Sequence, residues 1–184
     1  MTMQKAIEVV TKLAADGVIR DYAITGAVAA LNYIQPTLTE DLDILVSTRD
    51  FGVRASGLIL LAPIEEALAA MGYSARSDVG VFVEGWPVQF LPAASPLDEA
   101  SLTEALWVEI GGDPPFKARV LGPEFIVAKA LSVGRLKDLA RVEAFLDQDA
   151  VDLDKLKLVL ARFGLGPAWS GFCLKAGKPN TLMP

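Results

Sequence analysis

The sequence of 184 residues contains no histidine and only one cysteine, Cys173. Without histidine the chain cannot by itself form a Ser-His-Asp triad, a Cys-His dyad or a zinc site of histidine and cysteine ligands. A single cysteine also excludes an intramolecular disulfide, as is typical of proteins in a reducing compartment. Any metal chemistry must therefore use oxygen ligands, which suit hard cations such as Mg²⁺, Mn²⁺ or Ca²⁺.

The sequence also lacks an apolar run of about eighteen residues, so it predicts no transmembrane helix. Residues 1–17 have the pattern of an amphipathic helix that ends at Gly17, and they do not resemble a signal peptide. Hydrophobic residues make up 52% and charged residues 22% of the composition, as in ordinary globular domains. We therefore expect a cytoplasmic globular protein that does not bind membranes.

Charge is distributed unevenly along the chain, whose net charge is -6. Residues 1–116 contain 6 basic and 16 acidic residues, whereas residues 117–184 contain 11 basic and 7 acidic residues. The acidic part can hold cations and the basic part can contact phosphates, although the overall acidity disfavours loose binding of nucleic acid. Solvated faces of uneven charge would give the same counts, so both interpretations stay open at this point.

Hydrophobic periodicity and turn residues predict a mixture of strands and helices, followed by helices alone. Strands are predicted at 20–25, 40–47, 73–77, 81–85, 86–93, 107–112 and 116–122. Helices are predicted at 1–17, 26–34, 63–72, 123–133, 135–148 and 152–164, with 95–106 as helix or loop. A turn is predicted at 111–115, Pro36 is predicted to end the second helix, and residues 170–184 are expected to be loose.

Strands joined by hairpins dominate over a regular alternation of strand and helix, which indicates the α+β class. We expect residues 1–122 to form an α/β core and residues 123–184 to form a helical segment packed on it, within one structural domain. The three tryptophans, Trp86, Trp107 and Trp169, are predicted to be anchors of the core or of an interface.

Segment 23–46, AITGAVAALNYIQPTLTEDLDILV, carries the most informative pattern. Asp41 and Asp43 lie two apart on a predicted strand, where both side chains would point to one face and repel unless a divalent cation bridges them. Gly26 opens a predicted helix, whose first N–H groups favour an anion such as phosphate. The combination predicts a site for a polyphosphate and its metal, although DLD alone is more typical of a solvated edge strand or turn.

Four segments resemble the nucleotidyltransferase superfamily, which has the polymerase-beta-like fold: ITGAVAALNY, TLTEDLDILV, VEGWPVQFLP and VLGPEFIVAKALSVGRLKDLARVEAFL. The chain is most similar to AbiEii-type and related small bacterial nucleotidyltransferases, which often occur in toxin–antitoxin systems, over about residues 5–163. The resemblance implies a small mixed sheet flanked by helices, followed by a C-terminal helical segment. It also implies Mg²⁺ (or Mn²⁺) and transfer of a nucleoside monophosphate from a triphosphate to a hydroxyl of tRNA, a protein or a small molecule.

The resemblance assigns roles by position in this sequence. It places the metal pair at Asp41 and Asp43 and the third metal ligand at Gln89. The implied catalytic residues are Asp41, Asp43 and Lys129. The implied nucleotide-binding residues are Gly26, Ala27, Thr39, Lys129, Arg135, Lys137 and Asp138.

Gln89 stands where the superfamily has a third acidic residue. Its amide oxygen can bind a cation, but it carries no charge and cannot act as a general base. Glu84 and Asp78 of the same hairpin are the acids that could replace it. An alternative function is therefore a catalytically degenerate protein of this fold that serves as a nucleotide-binding or toxin–antitoxin interaction module. For the basic residues, the alternative is that Arg135 and Asp138 only pair with each other.

Overall fold

The computed structural model describes residues 3–35, 39–48, 61–111 and 114–182. The helices are α1 (Met3–Ala15), α2 (Gly26–Ala30), α3 (Ala62–Ala70), α4 (Pro96–Thr103), α5 (Pro123–Val133), α6 (Leu136–Asp147), α7 (Leu153–Arg162) and α8 (Gly166–Ala176). The strands are β1 (Tyr22–Ile24), β2 (Leu42–Val46), β3 (Val81–Val83), β4 (Trp86–Pro92), β5 (Leu106–Ile110) and β6 (Phe116–Val120).

The strands form one six-stranded mixed sheet in the order β3-β4-β2-β1-β6-β5. β1 runs antiparallel to β2 and parallel to β6, and β2 runs parallel to β4. The antiparallel hairpins β3–β4 and β5–β6 form the two sides of the sheet. This arrangement, with helices between the strand segments of the chain and a helical C-terminal part, confirms the predicted α+β class.

The described residues form two compact units. The first takes its residues from Met1–Val28 and Leu38–Leu121 and contains the whole sheet. The second takes its residues from Ala29–Thr37 and Gly122–Pro184 and contains α5 to α8. The chain thus changes from one unit to the other three times, after Val28, before Leu38 and after Leu121. The sequence pattern did not predict that the segment after Val28 belongs to the second unit.

In the first unit, buried apolar side chains of the central strands form the core. Leu42, Ile44 and Val46 of β2 are fully buried, as expected for the face opposite Asp43. The apolar face of α1 is buried through residues at helical spacing, namely Ala6, Ile7, Val10 and Leu13. The ambiguous segment 95–106 contains α4, because Ser95 and Asp98 form a reciprocal capping box at its start.

In the second unit, the prediction of a loose C-terminal tail is wrong. α8 buries Trp169 and Phe172, and the chain after it is held by side-chain contacts with α8 and α6. The indole N–H of Trp169 donates to Asn180 Oδ1 at 2.9 Å, and the Lys178 ammonium lies 2.5 Å from Asp147 Oδ1. Glycine and proline near the start of α8 hid the helix from the sequence pattern, although both are tolerated in a first turn.

Two smaller expectations also differ from the structure. Segment 73–77 forms no strand, since only Arg76 makes an isolated bridge, to Val81. The second helix is short and ends at Ala30, well before its predicted end. Pro36 and residues 112–113 of the predicted turn lie outside the described residues. Over the described part of the chain, the helices are all too short or too polar to span a bilayer.

Candidate functional site

The segment singled out in the sequence lies at one end of the central strands. The backbone N–H of Thr25 donates to the Asp43 carbonyl at 2.9 Å and so continues the pairing of β1 with β2 by one residue. On the other side of β1, the N–H of Leu121 donates to the Ile24 carbonyl at 3.0 Å. These two bonds hold the end of β1 on both sides, directly before Gly26.

Gly26 lies directly against the carboxylate of Asp43. Its φ is +65°, a left-handed conformation that side chains with Cβ rarely adopt. A Cβ at Gly26 would lie 2.3 Å from Asp43 Oδ2 and 3.1 Å from Asp43 Cγ, well inside van der Waals contact. Glycine is required here both by its backbone angle and by the carboxylate beside it.

Asp43 and Gln89 are paired residues of neighbouring parallel strands. The Cα register of β2 and β4 sets Asp43 opposite Gln89, between the pairs Leu42–Val88 and Ile44–Phe90. Residues paired in this way point to the same face of a sheet, so the carboxylate and the amide are neighbours. Both side chains are half-buried. The structure thus places Gln89 beside Asp43 in the sheet, and its role as a metal ligand stays a prediction.

Asp41 precedes the first residue of β2 and is half-buried. The hydroxyl of Thr39 donates to the Asp41 carbonyl at 3.0 Å, which restrains the chain just before the strand. Because the strand begins at Leu42, the expectation that Asp41 and Asp43 share a face stays a prediction. Ala27, by contrast, is the second residue of the five-residue helix α2 and is also half-buried.

The donor atoms here fit a hard cation that is shared with a substrate. Mg²⁺ is typically held by one or two carboxylates together with substrate phosphates, and two aspartates plus an amide oxygen supply that chemistry. Within the described ranges, no three carboxylate or cysteine side chains are grouped as a metal site. In particular, Glu84 does not complete such a group; its carboxylate accepts a hydrogen bond from the Tyr73 hydroxyl at 2.6 Å and so raises the pKa of Tyr73.

Comparison with known proteins gives a likeness to a solved structure. No family profile matches the sequence, and no curated protein matches it. Among solved structures, the chain is similar to an antigenic nucleotidyltransferase-like protein from Paracoccidioides brasiliensis, with a TM-score of 0.53 over 100% of this chain and 98% of that one. The chain has a nucleotidyltransferase-like fold. The sequence identity is 15%, so the likeness extends to the fold and not to a substrate or an activity.

This nucleotidyltransferase-like fold confirms the fold class predicted from the sequence. The nearer relation to AbiEii-type proteins stays a prediction. The sheet end that carries Gly26, Asp43 and Gln89 is the part of the fold on which the resemblance placed the phosphate turn and the metal ligands.

The remaining candidate residues belong to the second unit. Lys129 is half-buried on α5, whereas Arg135 and Lys137 are exposed at the start of α6. Asp138 is 4% exposed; its Oδ2 accepts from Arg135 Nε at 2.7 Å and its Oδ1 from Arg141 Nη1 at 3.3 Å. Arg135 and Asp138 pair with each other, Asp138 also pairs with Arg141, and the nucleotide-binding role of Arg135 stays a prediction.

Sequence reasoning missed Arg141, the second partner of Asp138. The two residues lie three apart on α6, and that spacing was the available signal. Two guanidinium groups around one buried carboxylate leave a net positive charge at this end of the helix. The buried position of Asp138 indicates that it orients Arg135 and Arg141 and stabilises their charges, since an unpaired buried carboxylate would be costly.

Proposed function

We propose that this protein binds a nucleoside triphosphate together with Mg²⁺ or Mn²⁺ and transfers the nucleoside monophosphate to an acceptor hydroxyl. The observation that carries the proposal is the contact of Gly26 with the Asp43 carboxylate, next to Gln89 in register, in a nucleotidyltransferase-like fold. Because Gly26 has no side chain and lies beside a half-buried carboxylate, a phosphate can approach its backbone while the metal ion approaches the carboxylate.

In this proposal Asp41 and Asp43 hold the metal and the Gln89 amide oxygen assists them. The bound metal would neutralise charge on the triphosphate and orient its oxygens. The acceptor oxygen forms a bond to the α-phosphorus, the bond from that phosphorus to the bridging oxygen breaks, and pyrophosphate leaves. The proton of the acceptor hydroxyl is released to water, because Gln89 cannot take it.

On the basis of the resemblance, we further propose that Lys129, Arg135 and Lys137 contact the triphosphate. Their cationic groups suit phosphate, and Arg135 is already oriented through Asp138. Two further proposals rest on the resemblance alone. One is the class of the acceptor, which is an RNA end such as tRNA, a protein or a small molecule, and the other is a toxin–antitoxin partner.

The first experiment measures thermal unfolding of the whole protein with and without each nucleoside triphosphate and Mg²⁺. A ligand at 100 times its dissociation constant stabilises the folded state by about 2.7 kcal/mol, which gives a clear rise in melting temperature. Asp41→Asn and Asp43→Asn should each remove this rise. Glu66→Gln, which makes the same charge change at an exposed residue of α3, should retain it.

If no triphosphate shifts the melting temperature of the wild type with either metal, the proposed function is wrong. If a shift occurs but survives Asp43→Asn, the protein binds nucleotide at some other place. Labelled triphosphates incubated with total RNA or protein then separate binding from transfer.

Gln89 favours a second candidate, a catalytically degenerate protein that binds nucleotide or a partner without transfer. Gln89 is the register partner of Asp43, the resemblance expects a third carboxylate at this position, and the described part of the chain groups no three acidic or cysteine side chains as a replacement. Gln89→Asp tests this: it should raise label transfer if the missing acid limits catalysis. Nucleotide binding without transfer in both the wild type and Gln89→Asp would favour the degenerate protein.

A further inference from the structure

The two outer strands of the sheet are protected very differently. β3 is backed by the chain before it: Phe82 N–H donates to the Ala75 carbonyl at 2.8 Å, and Ser77 N–H donates to the Gly80 carbonyl at 2.9 Å. For β5, the described residues contain no backbone hydrogen-bond partner other than β6. An open strand edge offers its N–H and C=O groups to another strand, and natural proteins usually guard it with lysine, proline or a bulge.

β5 has neither lysine nor proline and exposes large apolar side chains. Its sequence is LWVEI, every residue is at least partly exposed, and Trp107 is 63% and Leu106 48% exposed. Aromatic residues exposed to this extent are typical of interfaces. Alternation sets Leu106, Val108 and Ile110 on one face of the strand and Trp107 and Glu109 on the other.

In the β5–β6 hairpin, each β5 residue is paired with one residue of β6. On the apolar face, Leu106 is paired with Val120, Val108 with Ala118 and Ile110 with Phe116. On the other face, Trp107 is paired with Arg119 and Glu109 with Lys117. The edge is therefore apolar on one face and carries an aromatic residue, an anion and two cations on the other.

We propose that β5 is a self-complementary interface, at which a second copy of this chain pairs its own β5 in antiparallel orientation about a two-fold axis at Val108. In this register Leu106 lies opposite Ile110 and Val108 opposite itself, so the apolar face continues across the interface. On the other face, Trp107 of each copy lies opposite Glu109 of its partner. Across the interface, each row of side chains on this face then consists of Arg119 and Trp107 of one copy followed by Glu109 and Lys117 of the other, so like charges are not adjacent.

The neighbouring registers of the two β5 strands are less favourable for pairing. A shift by one residue sets the apolar face of one copy against the charged face of the other. A shift by two in either direction shortens the paired segment, and in one direction it sets Glu109 opposite Glu109, a like-charge pair that destabilises pairing. The register at Val108 pairs the whole strand and so defines one geometry for the dimer. This interface does not depend on the proposed function.

Sedimentation of the whole protein over about 10 µM to 1 mM tests the assembly, since a short strand pair gives a weaker interface than a standard one. The expected result is a concentration-dependent species of twice the monomer mass of 19.6 kDa. Trp107→Glu sets a new carboxylate opposite Glu109 at both symmetric positions and should raise the dissociation constant at least about tenfold. The matched control is Phe82→Glu at the other edge strand, where the side chain is 37% exposed.

Cross-linking of Val108→Cys with a short bifunctional thiol reagent tests the register. Facing residues at the axis have Cβ atoms about 4.5–5.5 Å apart, so the two introduced thiols should join the chains efficiently. Val79→Cys, at a position that is 41% exposed beside the opposite edge, should not cross-link. A wild type that is monomeric at all concentrations overturns the proposal. A dimer that is unaffected by Trp107→Glu, or that cross-links in the Val79→Cys variant rather than in Val108→Cys, also overturns it.

Discussion

Replacing Gly26 by alanine tests whether this glycine is needed for its backbone angle alone or also for its contact with Asp43. The left-handed φ of +65° would by itself cost alanine about 1–2 kcal/mol. The new Cβ would also lie 2.3 Å from Asp43 Oδ2, so the carboxylate must turn away or the strand must shift. Such overpacking costs about 1–3 kcal/mol more, which gives a total loss of about 2–5 kcal/mol in unfolding free energy.

The matched control is Gly17→Ala. Gly17 also has a left-handed φ, +77°, but a Cβ there meets no atom within 4 Å. Gly17→Ala should therefore show the backbone cost without the collision. Urea unfolding, followed by circular dichroism, measures the free energy of unfolding of both variants and of the wild type.

A second comparison isolates the carboxylate. In an Asp43→Ala background, Gly26→Ala should cost little more than Gly17→Ala, because the two nearest atoms, Oδ2 and Cγ of Asp43, are removed and the next nearest, Cβ of residue 43, lies at 3.2 Å. Equal costs of Gly26→Ala and Gly17→Ala in the wild-type background would refute the reasoning. So would an Asp43→Ala background that leaves the cost of Gly26→Ala unchanged.

Further predictions concern other parts of the molecule. Ser95→Ala removes the capping box of α4 and should lower the unfolding free energy by about 1 kcal/mol, measured by urea unfolding. At α7, the hydrogen bond from Lys155 N–H lowers the Asp152 pKa below its ordinary 3.8. The resulting stabilisation is present above pH 3.8 and is lost as the pH falls through the lower folded-state pKa. The melting temperature of Asp152→Asn should therefore change less on acidification than that of the wild type. Lys129→Ala should weaken triphosphate binding about tenfold by calorimetry if this lysine contacts phosphate, and Lys129→Arg should weaken it less.

Local patterns were sufficient to predict most elements of the fold. Proline at the first turn and glycine after the last residue bounded α5 at Pro123–Val133, and apolar alternation located β2. The α+β class followed from hairpin-linked strands, and these are properties of neighbouring residues. α8 was missed because glycine and proline lie near its start, and because its packing against α5 and α7 is a property of the fold.

The sequence by itself determined the chemistry that is possible: without histidine and with a single cysteine, a metal site of this chain must use oxygen ligands, and Asp41 and Asp43 stay the predicted ones. Only the tertiary structure decided that Gly26 touches the Asp43 carboxylate and that Gln89 is its register partner, because contacts between strands depend on pairing and not on sequence distance. It also decided that Asp138 is buried between two arginines and that β5 is an outer strand of the sheet, without a second strand partner among the described residues. Residue types limit which interactions a chain can form, whereas the fold selects which of them meet.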